Sequence, residues 1–267
     1  MSKNPYAEIR KVPLDYNGIQ SSAFAVQMQH PPRKDTPNTE WKETGVVGHN
    51  YMLLPNEEVK NAAHQVAEEC KIDFVHDKTL FNGRNFVYSM KSQHVAGEVK
   101  AGDDVALGMQ FWNSYDGSKA FGFAMMLYRL ICTNGMMSKD HFNTYRFKHE
   151  PKSENWEENL EQVVANINNL VRGSNKLDTL IHSFRRLSKS HVTTEELGRI
   201  RHNHLQEIPV SIWGQIVDRF THTSKEDYTG WNLLNAGTDL LWHKENPTIT
   251  TYSQNAAIVD GLCRAVA

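Results

Sequence analysis

Two runs of strict alternation flank one polar segment. Val105, Leu107, Met109 and Phe111 alternate on one side of Asn113-Ser-Tyr-Asp-Gly-Ser118, and Phe121, Phe123, Met125 and Leu127 on the other. A period of two puts each set on one strand face, and Asp116-Gly117 can take the positive φ angles of a tight hairpin turn. The spacing predicts an antiparallel hairpin whose exit is Arg129-Leu-Ile-Cys-Thr-Asn-Gly135. Both faces carry apolar residues, so one is expected to pack on helices and the other on a partner or a ligand.

The hairpin sits inside a longer pattern. Pro55 followed by Val59, Ala62, Ala63, Val66, Ala67 and Cys70 at three- and four-residue spacing predicts an amphipathic helix ending near Lys71. From Ile72 the period changes to two, with a break at Asn82-Gly83, which extends the hairpin into a meander of about five strands. Beyond the polar linker 139–152 the pattern is helical to the end. Ser153 caps a stripe of Trp156, Leu160, Val163, Val164, Ile167, Leu170 and Val171, Leu177–Leu187 follows, and Thr193 with Glu196 forms a capping box. Three further helices are expected around Ile212–Phe220, Trp231–Trp242 and Ala256–Val266.

Residues 1–44 are polar and proline-bearing, and read as an extended or partly disordered arm. Residues 45–267 read as one α+β domain, strand-rich over 72–135 and helical over 153–267. Strands followed by a block of helices argue for an antiparallel sheet covered on one face by those helices.

With 39% hydrophobic residues in 267, the chain can bury a real core. Its longest apolar run is too short to span a bilayer and its N-terminus lacks a signal-peptide core, so a cytoplasmic protein with no membrane partner is expected. Cys70, Cys132 and Cys263 are far apart and in no ligand spacing, which reads as reduced thiols.

Thirteen histidines invite a metal reading, above all His202 and His204 with His191 and His222, as does the pair Asp103-Asp104. Neither is accompanied by an HExxH or CxxC pattern, so no metal is assigned. No GxxxxGK[ST], GxGxxG or GxSxG motif occurs, which argues against ATP, a dinucleotide or a hydrolase elbow and leaves no cofactor and no catalytic residue to name.

Nucleic acid needs cations for phosphates and flat rings on which unpaired bases stack. The strand region supplies both, with Lys91, Lys100, Arg129, Arg146 and Lys148 interleaved with Trp112, Tyr115 and Tyr128. Arg185, Arg186 and Lys189 add a basic helix.

The segments Trp112-Asn-Ser-Tyr-Asp-Gly-Ser118, Arg129-Leu-Ile-Cys-Thr-Asn-Gly135 and Thr229-Gly-Trp-Asn-Leu-Leu-Asn-Ala236, with Thr238 and Trp242-His243, resemble the phage/plasmid-like family of domain of unknown function 932. The resemblance spans roughly residues 45–260 and implies a phage or plasmid protein expressed beside DNA-metabolism genes, with no settled activity to carry over. The order of a meander followed by a long amphipathic helix is also similar to the core of single-strand annealing proteins of the Rad-fifty-two and Erf type. Those form rings around a basic groove.

The resulting expectation is an ATP-independent single-stranded DNA-binding or annealing protein acting as a homo-oligomer in replication or recombination. Lys91, Lys100, Arg129, Arg146 and Lys148 would contact phosphates, Trp112, Tyr115 and Tyr128 would stack bases, and Arg185, Arg186 and Lys189 would extend the groove. Asp116 and Gly117 shape the turn and Asn134 the strand exit. A metal-dependent nuclease and a non-enzymatic host-interaction protein are the alternatives.

Overall fold

The computed structural model describes residues 4–30, 40–130, 134–136, 144–149, 161, 164–165, 167–169, 176–225, 227–244 and 249–265. The sheet the alternation predicts is there, with β4 (Phe74–Phe81), β5 (Asn85–Lys100), β6 (Asp103–Ser114), β7 (Phe121–Arg129) and β8 (Asn134–Met136) in sequence order and antiparallel. A further strand, β9 (Thr144–Phe147), pairs with Phe121–Ala124 of β7, on the same edge as β8. The fold is α+β.

One face of the sheet holds Phe86, Tyr88 and Met90 of β5, Met109 and Phe111 of β6, and Phe123 and Met125 of β7. Phe111 lies 4.8 Å from Phe123, ring centre to ring centre. Against this face packs α1 (Asn56–Cys70), whose Val59, Ala63, Val66 and Cys70 are fully buried and whose end is set by Lys71 in the left-handed conformation. The helices α2 (Lys176–Leu187), α3 (Thr194–His204), α4 (Val210–Thr223), α5 (Gly230–Trp242) and α6 (Ile249–Ala265) complete the same core. The expected Thr193–Glu196 capping box opens α3. The helix expected from Ser153 falls largely outside the described residues. No helix among them is long and apolar enough to cross a membrane.

The opposite face is also covered. Trp112 lies across Gly122 and Tyr128 across Gly108, so closely that a Cβ on either glycine would stand 2.2 or 2.0 Å from the ring. Trp242 at the end of α5 and Tyr252 in the first turn of α6 close over Met126, Tyr128 and Ala124. Lys78 of β4 reaches the Trp242 carbonyl from the far side of the sheet at 3.0 Å, so the sheet curls around these rings.

The N-terminal segment is not the expected arm. It forms a three-stranded antiparallel sheet of β1 (Ile9–Tyr16), β2 (Ile19–His30) and β3 (Glu40–Gly48). Val26 and Met28 of β2 and Val47 of β3 pack with Tyr115 of the hairpin tip. That apolar contact comes from residues 68 or more positions away, so local composition does not reveal it.

At the other end of the hairpin, the first residue of β6 ties sheet to helices. Buried Asp103 accepts from Arg129 Nε and Nη2, both at 2.7 Å, and from Trp231 Nε1 at 2.8 Å. Burial by itself would raise this carboxyl. The hydrogen bonds from Arg129 and Trp231, with the charges of Arg129 and Lys100, outweigh it and hold the carboxyl below its ordinary value. Its contribution to stability is therefore present above the unfolded carboxyl pKa of about 4 and lost as pH falls through the lower folded value.

Asp103→Ala is expected to cost about 3–5 kcal/mol in urea unfolding, because the largely buried Arg129 guanidinium loses that carboxylate. Trp231→Phe, which removes a single donor, should cost about 1–3 kcal/mol. Asp103→Asn should remove part of the loss of stability that acidification below about pH 4 causes in the wild type.

Candidate functional site

The tip of the β6–β7 hairpin is a loop of six residues rather than a two-residue turn. Ser114 Oγ donates to the Lys119 carbonyl at 2.9 Å and accepts from Lys119 N at 3.1 Å. Asp116 Oδ1 accepts from Ser118 N at 3.0 Å. Gly117 alone takes a positive φ, at 69°. Asp116 and Gly117 thus shape the backbone of this loop. Residues 131–133 of the predicted exit and the side chain of Asn134 lie outside the described residues. The backbone of Asn134 pairs with Arg129 in β8.

The N-terminal sheet is docked on this tip. Gly45 of β3 lies so close that a Cβ would stand 2.6 Å from the Tyr115 carbonyl and the Asp116 Cα. Thr44 Oγ1 donates to the Gly83 carbonyl, and Tyr51 Oη donates to the Ser114 carbonyl at 2.6 Å. Burial pushes the Tyr51 hydroxyl up to about 12, so it remains a neutral donor at physiological pH.

A cleft of about 590 Å³ opens between the docked sheet, the tip and the end of β9. Among the described residues its walls are Ser22, Gly48, His49, Asn50, Tyr51, Gly117, Lys119, Ala120, Lys148 and His149, none of them a carboxylate. The Tyr51 ring stacks on His149 at 4.5 Å and 18°. His149 Nδ1 lies 2.9 Å from the Met52 carbonyl, which can only accept, so Nδ1 carries the proton. Burial lowers the His149 pKa, so the ring is neutral at pH 7. Lys119 is partly buried, and that burial lowers its pKa while Asp116 partly restores it. At one rim Lys11 donates to the carbonyls of His49 and Tyr51 at 2.8 and 2.9 Å. The arrangement is a cationic concavity with a flat aromatic wall, suited to a phosphate-bearing ligand.

A second groove, of about 230 Å³, lies between α3 and α6, with His191, Glu196, Arg199 and His204 on its walls. Glu196 there is committed to the helix cap, accepting from Thr193 N at 2.7 Å. Among the described residues no group of three or more His, Cys, Asp or Glu side chains could hold a metal ion. His202, His204 and Asp103 therefore do not converge as the nuclease alternative requires.

The structure separates the residues expected to form one groove. Lys148 lines the cleft, and Arg146, exposed on β9, lies two residues before it. The three expected stacking rings are a correction. Trp112, Tyr115 and Tyr128 are 9%, 1% and 0% exposed, so none presents an open ring face on which a base of a strand could stack. They cover sheet glycines or fill the core beneath the N-terminal sheet. Arg129 is likewise corrected, since its guanidinium is held by Asp103 and lies over Trp231.

Lys91 pairs with Asp77 at 3.2 Å on the curled face, and Lys100 with Asp227 at 3.1 Å. Arg185 donates to the Glu98 carbonyl at 2.8 Å, while Arg186 and Lys189 are exposed near the end of α2 and just beyond it. Lys100 and Arg185 belong to the Asp103 end of β6. The eleven steps between its twelve residues, at ~3.3 Å each, put that end roughly 36 Å along the strand from the tip. One continuous channel is not formed by these side chains.

Sequence reasoning passed over His49, Tyr51, Lys119 and His149 as site residues. Their only signal is basic and aromatic character next to predicted turns, and it becomes a site when β3, the tip and β9 meet. The family model described as domain of unknown function (DUF932) matches residues 43–263, a span that contains all four and Lys148. No curated protein and no solved structure matches the chain.

Gly45→Ala should force the N-terminal sheet off the tip, because the obstructing atoms are backbone and cannot rotate away. The expected outcome is a loss of about 1–3 kcal/mol, as for other overpacked positions. Amide exchange should rise together at 45–51 and 115–119, and unchanged protection at both would contradict the docking described.

Proposed function

The chain belongs to the family described as domain of unknown function (DUF932), and from that premise and the geometry of the cleft we propose that it is an ATP-independent single-stranded DNA-binding or annealing protein. The observation that carries this reading is the cleft itself, with two lysines, two histidines and a stacked Tyr51–His149 pair on its walls. Two cations about a flat wall match what an unpaired strand presents, a charged backbone with bases that have lost their stacking partners. Arg146 extends the positive rim along β9.

The site differs from the one suggested by residue types alone. Lys119, Lys148 and Arg146 carry the phosphate contacts in this reading, and the partly exposed Tyr51 with the exposed His49 replaces the buried rings of the sheet, while His149 is buried and backs the Tyr51 ring. Assembly of several copies, and a phage or plasmid setting, belong to the same proposal. A homo-oligomer would place successive clefts along one strand, so that each needs only a few contacts.

Binding of fluorescent oligo-dT, followed by anisotropy over a salt series, tests the reading. The wild type should bind at low salt and weaken steadily as salt rises. Combining Lys119→Ala with Lys148→Ala should weaken binding at least tenfold at low salt. It should also reduce the slope of log affinity against log salt by ~1.4, at ~0.7 per single-strand phosphate contact. Lys100→Ala at the far end of β6 should leave both quantities unchanged. Wild-type affinity that is absent or indifferent to salt sinks the proposal.

A further inference from the structure

The curled face of the sheet holds a second group of side chains with no part in the cleft. Gln110 is fully buried there and sits in the register row Ser89–Gln110–Ala124. Its Nε2 donates to Ser89 Oγ at 3.0 Å, and its Oε1 is enclosed with no hydrogen-bond partner. On one side of this row Tyr128 lies across Gly108, with its hydroxyl close to Asp77 and Ser89 but hydrogen-bonded to neither. On the other side Tyr252 packs over Trp112, Val87 and Ala124, and its hydroxyl is also enclosed without a partner.

Three orphaned polar atoms on one face are costly, because each gives up its hydrogen bonds to water and receives nothing in return. Elsewhere the same sheet satisfies its buried polar groups, as Asp103 shows. The three are also complementary to something specific. Gln110 offers an acceptor, and the hydroxyls that flank it, Tyr128 and Tyr252, can each donate. The surroundings are aromatic, with Trp112 below and Trp242 closing the end, where it meets Tyr128 and Tyr252 edge-on at 5.5 and 6.4 Å.

We propose that this face is a binding site for a single pyrimidine base of the thymine or uracil type. Its ring N–H would donate to Gln110 Oε1, and its two carbonyl oxygens would accept from Tyr128 and Tyr252. The choice of a nucleobase, rather than another flat lactam, rests on the nucleic-acid reading above. Tyr252 is the side chain that must move to admit the ring. It is the only one of the three with partial exposure, and it stands in the first turn of α6. A base attached to a strand in the cleft and a free nucleoside present the same edge, and the experiment distinguishes these sources.

The test is titration of the full chain with thymidine and uridine, read by tryptophan fluorescence because Trp112 and Trp242 border the site. Both nucleosides should perturb the signal saturably. N3-methylthymidine, which lacks the donor, should bind at least tenfold more weakly. Tyr252→Phe and Gln110→Leu should each lose at least tenfold in thymidine affinity. Without ligand, Tyr252→Phe should melt about 2–4 °C higher than the wild type, because it deletes an unsatisfied buried hydroxyl.

The Lys119→Ala, Lys148→Ala double variant should keep thymidine binding. Retained thymidine binding with no salt-dependent oligo-dT binding by the wild type would refute the cleft alone. Equal binding of thymidine and N3-methylthymidine would overturn the base site. So would the absence of any thymidine response in the wild type, together with a lower melting temperature for Tyr252→Phe, which would mean a trapped water only. Weaker oligo-dT binding by Tyr252→Phe, with none for an abasic oligomer, would identify the strand as the source of the base.

Discussion

Strands β6 and β7 are buried on both faces, and this double burial governs what the rest of the molecule can do. All but one residue of Asp103–Ser114 and all but the last of Phe121–Arg129 are enclosed. A sheet covered on one side by helices ordinarily leaves the other to solvent or a ligand. Here the second side is filled by its own rings, Trp112 over Gly122 and Tyr128 over Gly108, and then capped by Trp242 and Tyr252. The open surface of the hairpin is reduced to its rim, and the cationic cleft lies on that rim.

Burying so much of a sheet makes every polar group within it consequential. Asp103 is enclosed and yet fully used, with two bonds from Arg129 and one from Trp231 joining β6, β7 and α5. Gln110, Tyr128 and Tyr252 are enclosed and left with unpaired atoms. The first arrangement stabilises the fold and leaves Arg129 with no charge to spare for a phosphate. The second costs stability, because each such atom gives up its bonds to water without a replacement.

The N-terminal sheet has a corresponding part at the tip. Gly45 permits backbone to approach backbone, Tyr51 spans to Ser114, and the cleft exists only because β3 and the tip are held together. Lys119 and Lys148 then stand on the walls of one concavity. Lys91 and Lys100 are already matched by Asp77 and Asp227, and a cation paired in this way has less to offer a phosphate.

The sequence by itself determined the local elements: the hairpin, the helix ending at Lys71, the capping box at Thr193 and the α+β order, because periodicity and caps act over a few residues. The likeness of three short segments to a family was also legible and holds over residues 43–263. The ordering of β1, β2 and β3 into a sheet was not legible, since it depends on Val26, Met28 and Val47 meeting Tyr115. The state of each aromatic and each cation was equally hidden. Trp112 and Tyr128 carry the same rings whether exposed or enclosed, and Arg129 the same charge whether free or paired. Only tertiary structure decides which faces are covered and which charges are matched, because both are set by residues distant in the chain.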